Sequence, residues 1–73
     1  MEPNVILRQI GQRIKSVREM KGISQQVLAA KCNFEKSNLS RIEAGRTNFT
    51  VNTLFKISQA LEVKLTDLID FEE

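Results

Sequence analysis

The apolar residues of this chain recur at helical spacing in five separate segments. In the first segment they follow one another at steps of three or four residues, which places them on one face of a helix: Leu7, Ile10, Ile14 and Val17. Four further segments are predicted to be helices from their inward-facing apolar residues and from the capping residues beside them: residues 25–31, 35–44, 51–61 and 64–69. Because no segment alternates apolar and polar residues as a strand does, the 73 residues predict an all-α, compact five-helix single domain.

Residues typical of helix ends lie between these segments. Ser24 and Thr50 have side chains that can cap the second and fourth helices, and Gly22 is typical of the position after a helix. Asn33 tolerates the left-handed conformation and predicts the turn after the second helix. Glu35 precedes the third helix, where its charge suits the helix dipole but its side chain is a weak cap. These residues support the five predicted boundaries.

Residues 25–46 have the spacing of two short helices that meet at a sharp angle, a helix-turn-helix. A small residue, Ala29, stands where the two helix axes would approach. Leu39 and Ile42 predict one buried face on the second of these helices. The opposite face carries hydrogen-bond donors that can reach DNA bases or phosphates: Lys36, Ser37, Ser40 and Arg41. This pattern favours the recognition of double-stranded DNA.

The distribution of charge supports this interpretation without establishing it. Residues 1–46 contain nine lysines and arginines against four acidic residues, whereas residues 47–73 contain two lysines and five acidic residues. The half with the helix-turn-helix pattern therefore carries a net charge of +5 and the other half −3. A basic region of this kind attracts phosphate, although a solvated surface of mixed charge is the simpler explanation of the asymmetry alone.

Several functional classes are disfavoured by composition. The chain has no histidine and no glycine-rich phosphate loop, so we expect no enzymatic activity, metal or cofactor. A lone cysteine, Cys32, cannot form an internal disulfide and fits a reducing cytoplasm, where it would fill a small apolar gap. No apolar run approaches the ~20 residues of a membrane span, and the N-terminus lacks the apolar core of a secretory signal.

The pattern as a whole resembles the lambdoid phage repressor-like, or Xre-type, helix-turn-helix family. The resemblance covers residues 10–69 and rests on five features: Arg18, the run Gly22-Ile23-Ser24-Gln25, Ala29, the run Ile42-Glu43-Ala44-Gly45, and the helix from Thr53-Leu54 to Ala60-Leu61. The sequence departs from the family pattern at Asn33, Glu35, Ala44, Phe49 and Glu62. The resemblance implies a five-helix domain that inserts its third helix into the major groove.

The resemblance also implies roles for individual residues. Lys36, Ser37 and Arg41 match positions that reach base edges. Gln25 matches a residue that contacts a DNA phosphate and braces the recognition helix. Arg18 and Glu43 match a partly buried ion pair between the first and third helices. The loop residues that match positions along the DNA backbone are Arg46, Thr47 and Asn48.

The residues themselves agree with these roles but leave alternatives open. The free backbone N–H groups at Ser24 and Gln25 can bind a DNA phosphate. The Ser40 hydroxyl is a further donor that can bind a phosphate of the DNA backbone. Arg41 can bind a guanine with two hydrogen bonds, or a phosphate instead. Ser37 can cap its own helix. Lys36 and Arg41 could also be solvated surface charges, and three phenylalanines are expected to be core or loop anchors: Phe34, Phe49 and Phe55.

We expect the chain to regulate transcription as a homodimer, because a domain of this size reads few base pairs. The residues predicted to form the dimer interface are apolar residues of the fifth helix and its flank, Leu65, Leu68, Ile69 and Phe71. Residues 70–73, which include Phe71, are also predicted to be a frayed tail. Two alternatives remain open: an antitoxin that binds a toxin protein, and a restriction–modification controller. The sequence does not identify the operator.

Overall fold

Five α helices form the part of the chain that the computed structural model describes, residues 3–70. The prediction of an all-α fold is confirmed, because residues 3–70 contain no strand. The ends of the four segments predicted between residues 25 and 69 lie within one residue of the observed helix ends. The helices are α1 Pro3–Met20, α2 Gln25–Cys32, α3 Lys36–Glu43, α4 Val51–Leu61 and α5 Leu65–Ile69. None of the described helices is long and apolar enough to cross a membrane.

The helix ends follow the local signals in the sequence. The backbone N–H of Val27 donates to Ser24 Oγ over 3.1 Å at the start of α2, and Thr53 N donates to Thr50 Oγ1 over 3.1 Å at the start of α4. Asn33 ends α2 in the left-handed conformation, with φ of 60°. Glu35 is predicted to be a weak cap of α3, and its side chain indeed makes no capping hydrogen bond.

All five helices contribute to one hydrophobic core. Helix α3 packs against α1 and α2, α4 packs against α2, and α5 packs against α1 and α4. The buried apolar residues are Ile10, Ile14 and Val17 of α1, Leu28, Ala29 and Cys32 of α2, Leu39 and Ile42 of α3, Leu54, Ile57 and Leu61 of α4, and Leu68 of α5. The apolar stripes of α1, α3 and α4 therefore meet at the centre of the domain.

Two glycines bring α1 into direct contact with the end of α3. A Cβ atom at Gly11 would lie 2.5 Å from the carbonyl oxygens of both Ile42 and Glu43. A Cβ atom at Gly45, which follows α3 with φ of +73°, would lie 2.7 Å from the Cα of Arg8. A side chain at either position would separate the helices, so the missing Cβ atoms permit the approach.

The predicted dimer interface needs correction. Leu68 is fully buried in the core, so its assignment to that interface is wrong. Helix α5 packs against α1 and α4, and Leu68 is the residue that it buries there. Leu65 is partly buried against the same core, and Ile69 is 41% exposed. Phe71 and residues 71–73 of the predicted frayed tail lie outside the described residues.

The three predicted aromatic anchors also differ from one another. Phe34 and Phe49 are partly buried and pack against the core, in agreement with their predicted role. Phe55 is 47% exposed on α4, so its assignment as a core residue is wrong. Phe55 follows the buried Leu54 in the sequence and therefore lies about 100° around α4 from it, at the edge of the buried stripe.

Candidate nucleic-acid interface

Helix α3 has one buried face and one exposed face. Leu39 and Ile42 are buried in the core, and Glu43 is buried at the end of the helix. The four predicted DNA-facing residues are all exposed: Lys36, Ser37, Ser40 and Arg41. Because Arg41 follows Ser37 by four residues, one helical turn, their side chains lie on the same side of α3. The exposed face is thus a row of hydrogen-bond donors.

A buried ion pair fixes α3 against α1. Arg18 Nε lies 2.7 Å from Glu43 Oε2, and Arg18 Nη2 donates to Glu43 Oε1 over 3.1 Å. The two residues are 7% and 5% exposed. The hydrogen bond from Arg18 to Glu43 raises the pKa of the arginine, against the opposing effect of burial. This geometry agrees with the partly buried pair that the family resemblance implies.

Gln25 extends this pair to the start of α2. Its Nε2 donates to Glu43 Oε1 over 2.9 Å, and Arg18 Nη1 donates to the Ile23 carbonyl oxygen over 2.8 Å. The Glu43 carboxylate therefore ties α1, α3 and the N-terminus of α2 together. The expected bracing contact from Gln25 is present, and the half-buried side chain keeps its second amide hydrogen and its oxygen for other partners.

The N-terminus of α2 lies beside this cluster and offers backbone donors. The first N–H groups of any helix have no partner within the helix, and the Ser24 cap accepts from only one of them, the N–H of Val27. Ser24 is exposed. This end of α2 can therefore present N–H groups to an anion.

The loop after α3 is ordered by its own short contacts. Arg46 N donates to the Arg41 carbonyl oxygen over 2.9 Å, Thr47 Oγ1 donates to the Asn48 carbonyl oxygen over 3.3 Å, and Phe49 N donates to Asn48 Oδ1 over 2.9 Å. Arg46 and Asn48 are exposed and Thr47 is half-buried. The Thr47 hydroxyl and the Asn48 side-chain oxygen therefore already shape the loop.

Two details of this region could not be predicted from the sequence. The family resemblance implied that Gln25 braces the third helix, but not that its partner is Glu43, which lies 18 positions away. The other is the position of Arg8, whose backbone and side chain lie against Gly45. Helical spacing places Arg8 outside the apolar stripe of α1, but it does not show which loop that polar face approaches.

Cys32 lies apart from this surface. It lines an open groove of about 420 Å³ together with Lys31, Asn33, Lys56, Gln59 and Ala60. Burial raises the pKa of the Cys32 thiol, and the positive charge of Lys56 partly opposes the change. A thiol with a raised pKa is a poor nucleophile at neutral pH, which agrees with its expected role as a space-filling residue.

Comparison with known proteins identifies the family. The family model HTH_3, described as helix-turn-helix, matches residues 14–68. The chain belongs to this family. The match includes α2, α3 and the Arg18–Glu43 pair, and it confirms the resemblance to Xre-type regulators. The chain is accordingly a helix-turn-helix domain of the DNA-binding transcriptional regulators.

Curated relatives differ in how much of their length the chain covers. The control protein C.BamHI of Bacillus amyloliquefaciens is 39% identical over 62 residues, which are 84% of this chain and 76% of the relative. The regulator SinR of Bacillus subtilis is 45% identical over 62 residues, again 84% of this chain but 56% of SinR. The antitoxin HipB of Escherichia coli K12 is 36% identical over 58 residues, 80% of this chain and 66% of HipB.

Solved structures give the same fold. The restriction–modification controller C.AhdI from Aeromonas hydrophila superimposes with a TM-score of 0.83 at 31% identity, over 85% of this chain and 94% of that one. SinR, solved in complex with DNA, superimposes with a TM-score of 0.76 at 45% identity, over 84% of this chain and 98% of that one. The five-helix architecture is thus shared with regulators of known structure.

Proposed function

We propose that the chain is a sequence-specific DNA-binding repressor that acts as a homodimer and inserts α3 into the major groove. The observation that supports this best is the construction of α3. Its exposed face carries only polar and basic side chains toward solvent, while a buried ion pair holds its other side against α1. A major groove about 12 Å wide accepts a helix presented in this way.

Base recognition is assigned to Lys36, Ser37 and Arg41. The first two lie in the first turn of α3 and Arg41 in its last turn, so the three side chains can contact neighbouring base pairs along the groove. Arg41 has the planar pair of donors that matches O6 and N7 of guanine, and such a contact discriminates against other bases by roughly 1–3 kcal/mol. We therefore expect a guanine in each half-site.

Phosphate recognition is assigned to the segments on either side of α3. The N-terminus of α2, with Ser24 and Gln25, lies before it, and the loop after it carries Arg46. Three further polar side chains complete the proposed backbone contacts: Ser40, Thr47 and Asn48. Contacts of this kind position a protein on the duplex without reading its sequence.

Dimerisation would allow two such domains to bind half-sites about one helical turn apart. Of the residues first considered for that contact, Ile69 is exposed and Leu65 is partly buried, so these two remain candidates within residues 3–70. Sedimentation of the protein with and without DNA tests the proposal. A monomer at tens of micromolar that also binds DNA singly would contradict it.

The decisive experiment is selection from a random duplex library, followed by titration of the enriched sequence with Arg41→Ala. We expect an inverted repeat, and we expect Arg41→Ala to lose preference at one position of each half-site. Lys64→Ala removes the same charge from the start of α5 and is the matched control, because it should leave that preference unchanged. An even loss of affinity across all sequences would instead assign Arg41 to a phosphate.

A restriction–modification controller is a second candidate, favoured by the high coverage of C.AhdI and C.BamHI. This candidate also binds DNA, so the genomic position of the enriched site distinguishes it: the site would precede genes for a methyltransferase and an endonuclease. An antitoxin is the other alternative, and the similarity to HipB supports it. Tight binding to a protein product of an adjacent gene would favour the antitoxin.

A further inference from the structure

The N-terminal half of α1 places an arginine beside the loop that follows α3. The nearest atoms to a Cβ built on Gly45 all belong to Arg8: its Cγ at 2.6 Å, its Cα at 2.7 Å and its N at 2.9 Å. The stem of Arg8 therefore lies directly over the Gly45 turn. Arg46, the next residue in the chain, begins the loop that is assigned to the DNA backbone.

This position is held firmly on both sides. The turn itself is closed by hydrogen bonds from Gly45 N to the Ile42 carbonyl oxygen over 3.1 Å and from Arg46 N to the Arg41 carbonyl oxygen over 2.9 Å. One turn along α1, Gly11 packs directly on the last carbonyl groups of α3. Since α1 contacts the end of α3 at two glycines, the backbone of Arg8 keeps a fixed place relative to Arg46.

The charges of this corner have little local compensation. Arg8 and Arg46 are both exposed, and neither forms an ion pair with another residue in the range 3–70. Glu43, the acidic residue at the end of α3, is buried and already paired with Arg18. The C-terminus of α3 attracts cations only weakly, at about 0.3–1 kcal/mol for an exposed site. Two exposed arginines whose backbones meet at the Gly45 turn give this corner a positive charge, which favours a bound anion.

We propose that Arg8 is an additional phosphate-binding residue, which extends the DNA footprint from α3 and its loop onto α1. The inference rests on the proposed function, because it assumes that α3 lies in the major groove. Arg8 and Arg46 would then contact the same stretch of DNA backbone from two elements that are 38 positions apart in sequence. Arg8 would contribute affinity and salt dependence but no sequence preference.

The test compares Arg8→Gln with the unmodified protein on the selected DNA sequence between 50 and 200 mM salt. Glutamine keeps part of the stem that packs on Gly45 and removes the charge. We expect the slope of log affinity against log salt to fall by about 1 for each lost contact. A dimer of Arg8→Gln loses two contacts. The ratio of the affinity of the unmodified protein to that of Arg8→Gln should therefore fall roughly tenfold as salt rises from about 50 to about 200 mM.

Lys31→Gln is the matched control, because Lys31 is exposed at the far end of α2 and its removal costs the same charge. Replacing individual DNA phosphates with neutral methylphosphonates locates the contact: at one backbone position per half-site, the difference between Arg8→Gln and the unmodified protein should disappear. Arg8→Lys should retain most of the salt dependence, which guards against a general effect of changing the packing on Gly45.

Two outcomes separate the two hypotheses. If the unmodified protein enriches no DNA sequence, the proposed function fails and this inference fails with it. If it binds its selected site and Arg8→Gln matches Lys31→Gln in salt slope, the inference alone is overturned. In that case a lower thermal stability of Arg8→Gln would assign Arg8 to stabilising the end of α3.

Discussion

Helices α2 and α3 each have eight residues, yet they are held in place by different means. Helix α2 begins at a side-chain cap from Ser24 and ends at the left-handed Asn33. Helix α3 has no side-chain cap at Glu35. It is fixed instead at its other end, where Glu43 accepts hydrogen bonds from Arg18 and Gln25. The ends of α2 are thus set by residues next to it in the sequence, whereas α3 is held by contacts with α1 and α2.

This difference suits the proposed roles of the two helices. The N-terminal half of a recognition helix enters the groove, so the contacts that hold it must lie elsewhere. In this domain they lie at the C-terminus of α3, where α1 approaches through Gly11 and the buried pair closes the contact. The exposed donors of α3 are therefore positioned by contacts that α1 makes with the C-terminus of α3. Substitutions at five positions test how far this distinction between local and tertiary control holds.

The largest effect is expected for Glu43→Gln. The substitution leaves the buried Arg18 guanidinium without a counter-charge, which typically costs about 3–5 kcal/mol. For a domain of this size, each kcal/mol lowers the unfolding temperature by roughly 4–8 °C. Thermal unfolding followed by circular dichroism measures the loss. Glu35→Gln is the control, since it removes an exposed charge and should change stability by less than about 0.5 kcal/mol.

An intermediate effect is expected for Gly11→Ala. Helix propensity alone would favour alanine by about 1 kcal/mol, but its Cβ would meet two carbonyl groups of α3 at 2.5 Å. Forcing the helices apart should cost about 1–3 kcal/mol and displace α3, so DNA affinity should fall as well.

Gly22→Ala is the comparison for that experiment. A Cβ at Gly22 meets nothing within 4 Å, but the backbone has φ of +70°, which costs an alanine about 1–2 kcal/mol. We expect this variant to lose stability and to bind DNA normally at a temperature where it is folded. Equal losses of DNA affinity in both variants would contradict the distinction between a local strain and a displaced recognition helix.

The smallest effects are expected at the helix caps. Ser24→Ala removes the capping oxygen of α2 and should cost about 1 kcal/mol. Glu35→Asp keeps the charge and supplies a better cap to α3, so it should stabilise the domain by several tenths of a kcal/mol. Chemical unfolding measures both changes. No gain from Glu35→Asp would indicate that tertiary contacts already hold the start of α3.

Much of the fold was accessible from the sequence because its signals are local. Apolar residues and the capping residues beside them predicted all five helices, and Ser24, Asn33 and Thr50 predicted three of their ends correctly. The exposed face of α3 follows from the same periodicity, since Leu39 and Ile42 determine which side is buried. The partners of the Arg18–Glu43 pair are 25 positions apart, so local patterns could not join them. Only the family resemblance suggested this pair.

The errors concern residues whose burial depends on distant elements. Leu68 and Ile69 are adjacent and equally apolar, yet one is fully buried and the other is 41% exposed. The two side chains point about 100° apart around α5, and the packing of α5 against α1 and α4 decides which of them is buried. Glu62, one of the departures from the family pattern, ends α4 in the left-handed conformation with φ of 60°, which glycine adopts most easily.

The sequence by itself determined the helices, their caps and the polar face of α3, because hydrogen bonding and periodicity act over a few residues. Only the tertiary structure decided which end of α3 is anchored, where Gln25 donates its hydrogen bond and which loop Arg8 approaches. Those contacts join residues 18 to 37 positions apart. They depend on how closely two helices can approach. The absence of a Cβ atom at Gly11 or Gly45 allows α1 and the end of α3 to come close only when both are already folded against each other.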